Sequence, residues 1–160
     1  MTIAVGDSIP DVKLMTPTGE GPKPVQSVEA LGKGRVVVFA VPGAFTPTCS
    51  DYHLPGFVLR AGDLKDKGVD TVACISVNDP FVMGAWGQAQ DVSDSVLMLA
   101  DGNGDFTKAV GLEMDGSGFG LGIRSQRYAA ILDDGVVTEL LVEPGPGLDV
   151  SSADSVLAKL

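Results

Sequence analysis

This 160-residue sequence predicts an α/β fold with a central mixed β-sheet flanked by helices. Three observations carry that prediction. Residues 35–41 and 71–77 are short, continuous apolar runs, the pattern of strands covered on both faces. Each run is followed by a cap-plus-proline helix start, Thr46-Pro47 and Asp79-Pro80. Near the C-terminus, Asp134-Gly135 separates two strand-like runs, which is a strong hairpin signal. Strands that alternate with helices and close on a hairpin form a layered sheet with parallel and antiparallel members.

The elements follow in order. Residues 1–24 are rich in turn formers, with a short hairpin around Val12 to Met15, and a short helix fits residues 25–31. The strand 35–41 leads into a helix capped by Thr46, which runs to about Lys67 and bends at Pro55-Gly56, where proline interrupts the backbone ladder. The strand 71–77 carries Cys74, and Asp79-Pro80 opens a helix through Trp86. A third strand at 96–100, a short helix at 106–110 and a Gly-rich loop at 116–122 come next. Residues 127–132 and 136–142 pair as the hairpin, and 152–160 form the last helix.

Composition places bounds on function. The length suits one domain over residues 1–160, and 44% hydrophobic with 20% charged residues is globular rather than disordered. Twenty-one acidic residues against 11 basic ones leave a net charge of −10, which excludes a cationic face for nucleic acid or anionic membrane. No apolar run approaches the ~20 residues of a membrane span. Residues 1–10 lack the basic start and apolar core of a signal peptide. Two cysteines are too few for a disulfide framework, so a reducing cytoplasm is expected, or an organelle reached by a removed transit peptide. One histidine and two separated cysteines have no metal-ligand spacing, so neither a metal nor a cofactor is expected.

Cys49 is the residue with chemistry in it. Counting from the Thr46 cap, it falls in the first helical turn, where unsatisfied N–H groups and the helix dipole favour an anion. A free thiol of pKa ~8.5 is only about 3% ionised at pH 7. Lowering such a pKa to roughly 6 raises the thiolate about 30-fold. About 10-fold is lost again, because nucleophilicity falls with pKa. Fast chemistry at sulfur must therefore come from stabilising the departing group, for which a threonine hydroxyl, an arginine fork and backbone N–H groups are suitable.

The pattern Pro42-x3-Thr46-x2-Cys49 resembles the peroxiredoxin active-site signature. Its flanks, Val41-Pro42-Gly43-Ala44-Phe45-Thr46-Pro47, His53-Leu54-Pro55-Gly56-Phe57, Cys74-Ile75-Ser76-Val77-Asn78-Asp79 and Trp86-Gly87, resemble the type II, peroxiredoxin 5-like subfamily. The resemblance runs from about residue 3 to the C-terminus. It implies a thioredoxin-like fold and reduction of hydrogen peroxide or alkyl hydroperoxides. Cys49 would be the peroxidatic nucleophile and pass through a sulfenic acid. Thr46 would hold the peroxide, and Pro42 would shield the sulfur from water. An arginine opening the strand before the final hairpin turn would complete the site. That is Arg127, with Arg124 in a supporting role.

Recycling is where the subfamily divides. Val150 stands where some members carry a resolving cysteine, so the resemblance implies reduction by an external thiol, glutaredoxin with glutathione or thioredoxin. Cys74 reads first as a small core residue, and as a second redox thiol only if recycling involves it. A homodimer is implied, with Phe45 and Phe119 as contacts. His53, four residues after Cys49, could share its helical face, either packing and polarising the site or forming a Cys–His hydrolytic dyad. A peroxide-responsive sensor or interaction protein is the non-enzymatic alternative. The Gly-rich loop leads into a strand rather than a helix, which argues against a dinucleotide site.

Overall fold

The continuous apolar runs form the middle of one sheet. In the computed structural model, which describes residues 1–160, the chain forms β1 (Lys13–Thr16), β2 (Lys23–Gln26), α1 (Ser27–Leu31), β3 (Arg35–Ala40), α2 (Leu54–Asp66), β4 (Thr71–Ser76), α3 (Pro80–Ala89), β5 (Leu97–Ala100), α4 (Asp105–Val110), β6 (Glu113–Asp115), β7 (Ile123–Ser125), β8 (Tyr128–Asp133), β9 (Val136–Val142) and α5 (Ala153–Leu157). Seven strands lie in the order β2-β1-β5-β4-β3-β8-β9, and β6 pairs with β7 in a separate ribbon. The pairs β3–β4 and β4–β5 are parallel, whereas β8 and β1 join antiparallel to β3 and β5. The sheet is therefore mixed, and the fold is the expected thioredoxin-like α/β arrangement.

Alternation along the central strands divides the core in two. Val37, Phe39, Val41, Val72 and Cys74 pack on one face beneath residues of α2, α3 and α5, among them Phe57, Trp86 and Val156. Val36, Val38, Ala40, Ala73 and Ile75 pack on the other with Leu31 of α1 and Phe106 of α4. A strand covered on both faces has no polar side to show, which is why these runs look uniformly apolar. The three parallel strands β3, β4 and β5 finish at the same end of the sheet, and the Cys49 loop leaves from that end of β3.

Local signals account for most element ends. Asp79 accepts a hydrogen bond from Val82 N–H at 2.8 Å and caps α3, and Ser152 does the same for Ser155 N–H at 3.1 Å on α5. The hairpin turn places Asp134 at φ 48° and Gly135 at φ 83°, the left-handed pair that its residues favour. Three expectations need correction. Val25 and Gln26 belong to β2, so the first helix starts at Ser27, because Val25 pairs opposite Leu14 in the sheet. The last helix is shorter than 152–160. The Gly-rich loop is bracketed by β6 and β7, whose three-residue length leaves too little periodicity to see in sequence. No helix is long and apolar enough to cross a membrane.

Asp79→Ala should cost about 1 kcal/mol through loss of the α3 cap. That corresponds to a drop of roughly 2–4 °C in Tm by calorimetry, with the fold retained.

Candidate active site

The loop that leaves β3 is held from two sides. On one, Ala44 N–H donates to Asn78 Oδ1 at 3.0 Å, and the same oxygen accepts Ser76 Oγ–H at 2.6 Å, which ties the loop to the end of β4. On the other, Arg124 Nη1 donates to Pro42 O at 3.3 Å and its Nε to Leu121 O at 2.9 Å, which links the loop to the Gly-rich segment. Gly43 lies so close that a Cβ would come within 3.0 Å of Arg124 Nη1 and 3.2 Å of Thr46 Cγ2. Phe45 adopts φ 64°, a conformation that non-glycine residues rarely take, and leaves its ring 54% exposed.

Pro47 and Thr48 begin the helix, and Cys49–His53 then form a π-helical turn closed by Leu54 N–H donating to Cys49 O. Two expectations change here. Thr46 precedes the helix as predicted, but its hydroxyl does not cap it; Oγ1–H donates to Gly43 O at 2.7 Å. The irregularity expected at Pro55-Gly56 lies one turn earlier, and α2 runs unbroken from Leu54. Pro55 has no N–H to donate and crowds the carbonyl four residues back, so the chain widens before it rather than bending after it.

The π turn carries Cys49 and His53 inward, both fully or almost fully buried. Arg127, the residue before β8, reaches across from the sheet. Its Nη2 donates to Cys49 Sγ at 3.2 Å, and its Nη1 contacts His53 Nδ1 at 2.9 Å. His53 Nε2 lies 2.9 Å from the carbonyl of Ser151. An arginine can only donate and a carbonyl can only accept, so His53 is the neutral tautomer with its proton on Nε2. Burial, with the Arg127 charge beside it, lowers the His53 pKa from 6.5 to about 3, and hydrogen bonding to Ser151 and the charge of Glu143 offset this only in part. The imidazole leans on Phe39 and Phe57, which stack on each other at 4.0 Å. Arg127 itself is 5% exposed, none of the chain's ion pairs involves it, and its Nε has no hydrogen-bond partner.

With this geometry in hand, likeness to known proteins is informative. Residues 4–157 match the Redoxin family. Peroxiredoxin-2E-2, chloroplastic, of Oryza sativa subsp. japonica is 51% identical over 99% of this chain and 73% of its own length. Peroxiredoxin-2B of Arabidopsis thaliana is 49% identical over 99% of this chain and 98% of its own. Reduced Prx3 of Vibrio vulnificus, crystallised in complex with H2O2, is 54% identical with a TM-score of 0.94 over 99% of both chains.

The chain belongs to the type II peroxiredoxins. It is a thiol-dependent peroxidase. In this peroxiredoxin the fold brings together Cys49, His53 and Arg127, with Pro42 and Thr46 on the loop above and Arg124 bracing that loop. A hydrolytic dyad does not fit, since both His53 nitrogens are engaged by Arg127 and Ser151 and neither bonds Cys49. Cys74 is buried in β4 in the same core cluster as Cys49, and both cysteines are free. Glu143 and Ser151 escaped the sequence reading. Ser151 is 98 residues from His53, and no local pattern announces a backbone carbonyl as a partner.

The depressed His53 pKa makes a stability prediction. An unfolded histidine takes its proton near pH 6.5 and the folded one only near 3, so the unfolded state binds more protons between these values. The contribution is complete above about pH 6.5 and is lost as pH falls toward 3, at up to about 1.4 kcal/mol per pH unit. Urea unfolding at pH 7 and pH 5 should show this slope in the wild type and a shallower one in His53→Gln.

Proposed function

We propose that Cys49 is the peroxidatic nucleophile of a one-cysteine cycle, with Arg127 and Thr46 holding the peroxide and an external thiol regenerating the enzyme. The observation that carries this reading is the 3.2 Å contact from Arg127 Nη2 to Cys49 Sγ. A buried guanidinium without a carboxylate partner is costly, and a thiolate supplies the missing negative charge.

The sulfur attacks one oxygen of the hydroperoxide. The S–O bond forms as O–O breaks, Cys49 is oxidised to the sulfenic acid, and the other oxygen leaves as alkoxide or hydroxide and is protonated from water. The negative charge thus moves from sulfur to the leaving oxygen. A donor that bonds sulfur in the ground state must have further hydrogens for that oxygen, and the unpaired, buried Nε of Arg127 is suited to it. Thr46 takes the opposite part to the donor role its hydroxyl suggests. Its proton is committed to Gly43 O, so its lone pairs accept from a peroxide O–H and orient the substrate. Pro42, half-buried beside it, limits the water that reaches the sulfur. Hydrogen peroxide is the molecule in complex with the Vibrio relative, and alkyl hydroperoxides offer the same reacting atoms.

Cys74 is a poor resolving group. Burial pushes its thiol up, the neighbouring Cys49 charge adds to this, and Arg127 only partly opposes them, so it stays protonated. An external thiolate, from glutathione with glutaredoxin or from thioredoxin, therefore attacks the sulfenic sulfur and releases water. A second thiol then cleaves the mixed disulfide and restores Cys49. Cys49 is fully buried, so this half of the cycle requires the Cys49–His53 turn to open, breaking the 2.9 Å bond from Trp86 Nε1–H to Ser50 Oγ. The exposed Phe45 and Phe119 suit a homodimer contact beside the site. Two free thiols suit a reducing compartment such as the cytoplasm.

Stopped-flow oxidation by substoichiometric hydrogen peroxide, followed by Trp86 fluorescence, tests the cycle. Cys49→Ser should abolish the signal. Arg127→Lys should slow it by about 10²-fold, as expected for loss of an oriented donor. Cys74→Ser should keep both oxidation and turnover with an external thiol; turnover lost with oxidation intact would make Cys74 the resolving thiol.

A further inference from the structure

Arg127 is held at both ends by one chain of hydrogen bonds. Its backbone carbonyl accepts Glu143 N–H at 3.0 Å, just past the end of the β8–β9 ladder. Glu143 Oε2 in turn accepts Ser151 N–H at 2.8 Å, Ser151 Oγ–H at 2.7 Å and Asp149 N–H at 2.9 Å. Ser151 O accepts the Nε2–H of His53, and His53 Nδ1 accepts Nη1–H of Arg127. The chain closes into a ring.

We propose that Glu143 is a positioning residue for the peroxidase reaction, which closes this ring and so decides which guanidinium hydrogens remain for sulfur and peroxide. The proposal rests on the role of Arg127 given above. Without Glu143, the side-chain hydrogen bonds left to residues 149–151 are Ser155 Oγ–H donating to Asp149 O and the His53 Nε2–H bond to Ser151 O itself. The Ser151 carbonyl is then free to leave His53. An imidazole released from that carbonyl can carry its proton on Nδ1, where it opposes an Arg127 N–H instead of accepting from it. The guanidinium would turn, and the bond to Cys49 Sγ with it.

Glu143 is buried at 6% exposure, and none of the chain's ion pairs uses it. Burial favours its neutral form, yet hydrogen bonds from Asp149, Ser151 and Val150 outweigh this and hold the carboxyl below its ordinary range, so the acceptor is ionised at neutral pH. The carboxylate thus serves as a triple acceptor for a loop that would otherwise expose its N–H groups. The loop's one contribution to the site is a single carbonyl oxygen.

The chain's one histidine makes the ring observable. Two-bond 1H–15N correlation of the His53 ring reports the tautomer, and stopped-flow reports Cys49 oxidation by hydrogen peroxide. The wild type should show one protonated Nε2 and one unprotonated Nδ1. Glu143→Ala should mix the two nitrogen signals and slow oxidation roughly 10-fold, a loss typical of a misplaced catalytic group. Glu143→Gln keeps an acceptor oxygen and should retain the tautomer, with a rate within about 3-fold of wild type. If Glu143→Ala does not fold, Ser151→Ala, which removes one of the three donors to Glu143, replaces it, with partial mixing and a fall of about 3-fold. Wild-type nitrogen signals and rate in the Ala variant overturn the proposal. So does an equal fall in the Ala and Gln variants with the His53 signals unmoved, which would be an effect of charge. Arg127→Lys separates the two readings: if it oxidises at the wild-type rate, the role of Arg127 fails, whereas if it alone is slow, only the ring fails.

Discussion

A buried guanidinium with no carboxylate to neutralise it is the constraint on which the site depends. Arg127 is set into the end of the sheet by its own backbone, and its charge has Cys49 Sγ as its one anionic-capable partner. Removing a cation from water costs several kcal/mol unless an opposite charge and hydrogen bonds compensate. The structure supplies hydrogen-bond partners in a neutral histidine and in Cys49 Sγ, and no carboxylate among them. Had a carboxylate taken the place of His53, Arg127 would have had its counter-charge without Cys49.

The surroundings serve this arrangement. The π turn at Cys49–His53 places the thiol and the imidazole on one side of the helix, where the arginine can meet both. The stacked rings of Phe39 and Phe57 fix the imidazole plane, and burial keeps it unprotonated. The strained Phe45 and the bracing of Pro42 by Arg124 hold the loop against the helix start. Such strain is stored where the surrounding structure over-determines the backbone, and here that structure is the end of β3 and β4. The same tight packing encloses Cys49 completely, so a reagent of any bulk reaches the sulfur only when this turn opens.

Much of this was legible in the residues. Uniformly apolar runs at β3, β4 and β8 could only be strands covered on both faces, because a surface strand would alternate. Asp79-Pro80 and Asp134-Gly135 act through their own backbone preferences, so they kept their meaning in the folded chain. The spacing of Pro42, Thr46 and Cys49, with Arg127 opening an apolar run, marked the residues that meet at the site. Where local chemistry was ambiguous the sequence misled. Thr46 has a hydroxyl that can cap or donate, and only the nearness of Gly43 O decided between them. Pro55 announced an irregularity without saying on which side of it the helix would yield.

What the sequence determined by itself, then, was the set of elements whose causes are local: periodicity, caps, turns, and a cysteine at a helix start. Tertiary structure alone decided which atoms face one another. The proton on Nε2 of His53 is set by a carbonyl 98 residues away, and that carbonyl is held by a glutamate at the end of a different strand. No pattern in sequence encodes these contacts, because hydrogen bonds act over about 3 Å of space without regard to separation along the chain. The motif around Cys49 was legible beside it, and the atoms that meet its sulfur and the neighbouring imidazole came from the far end of the protein.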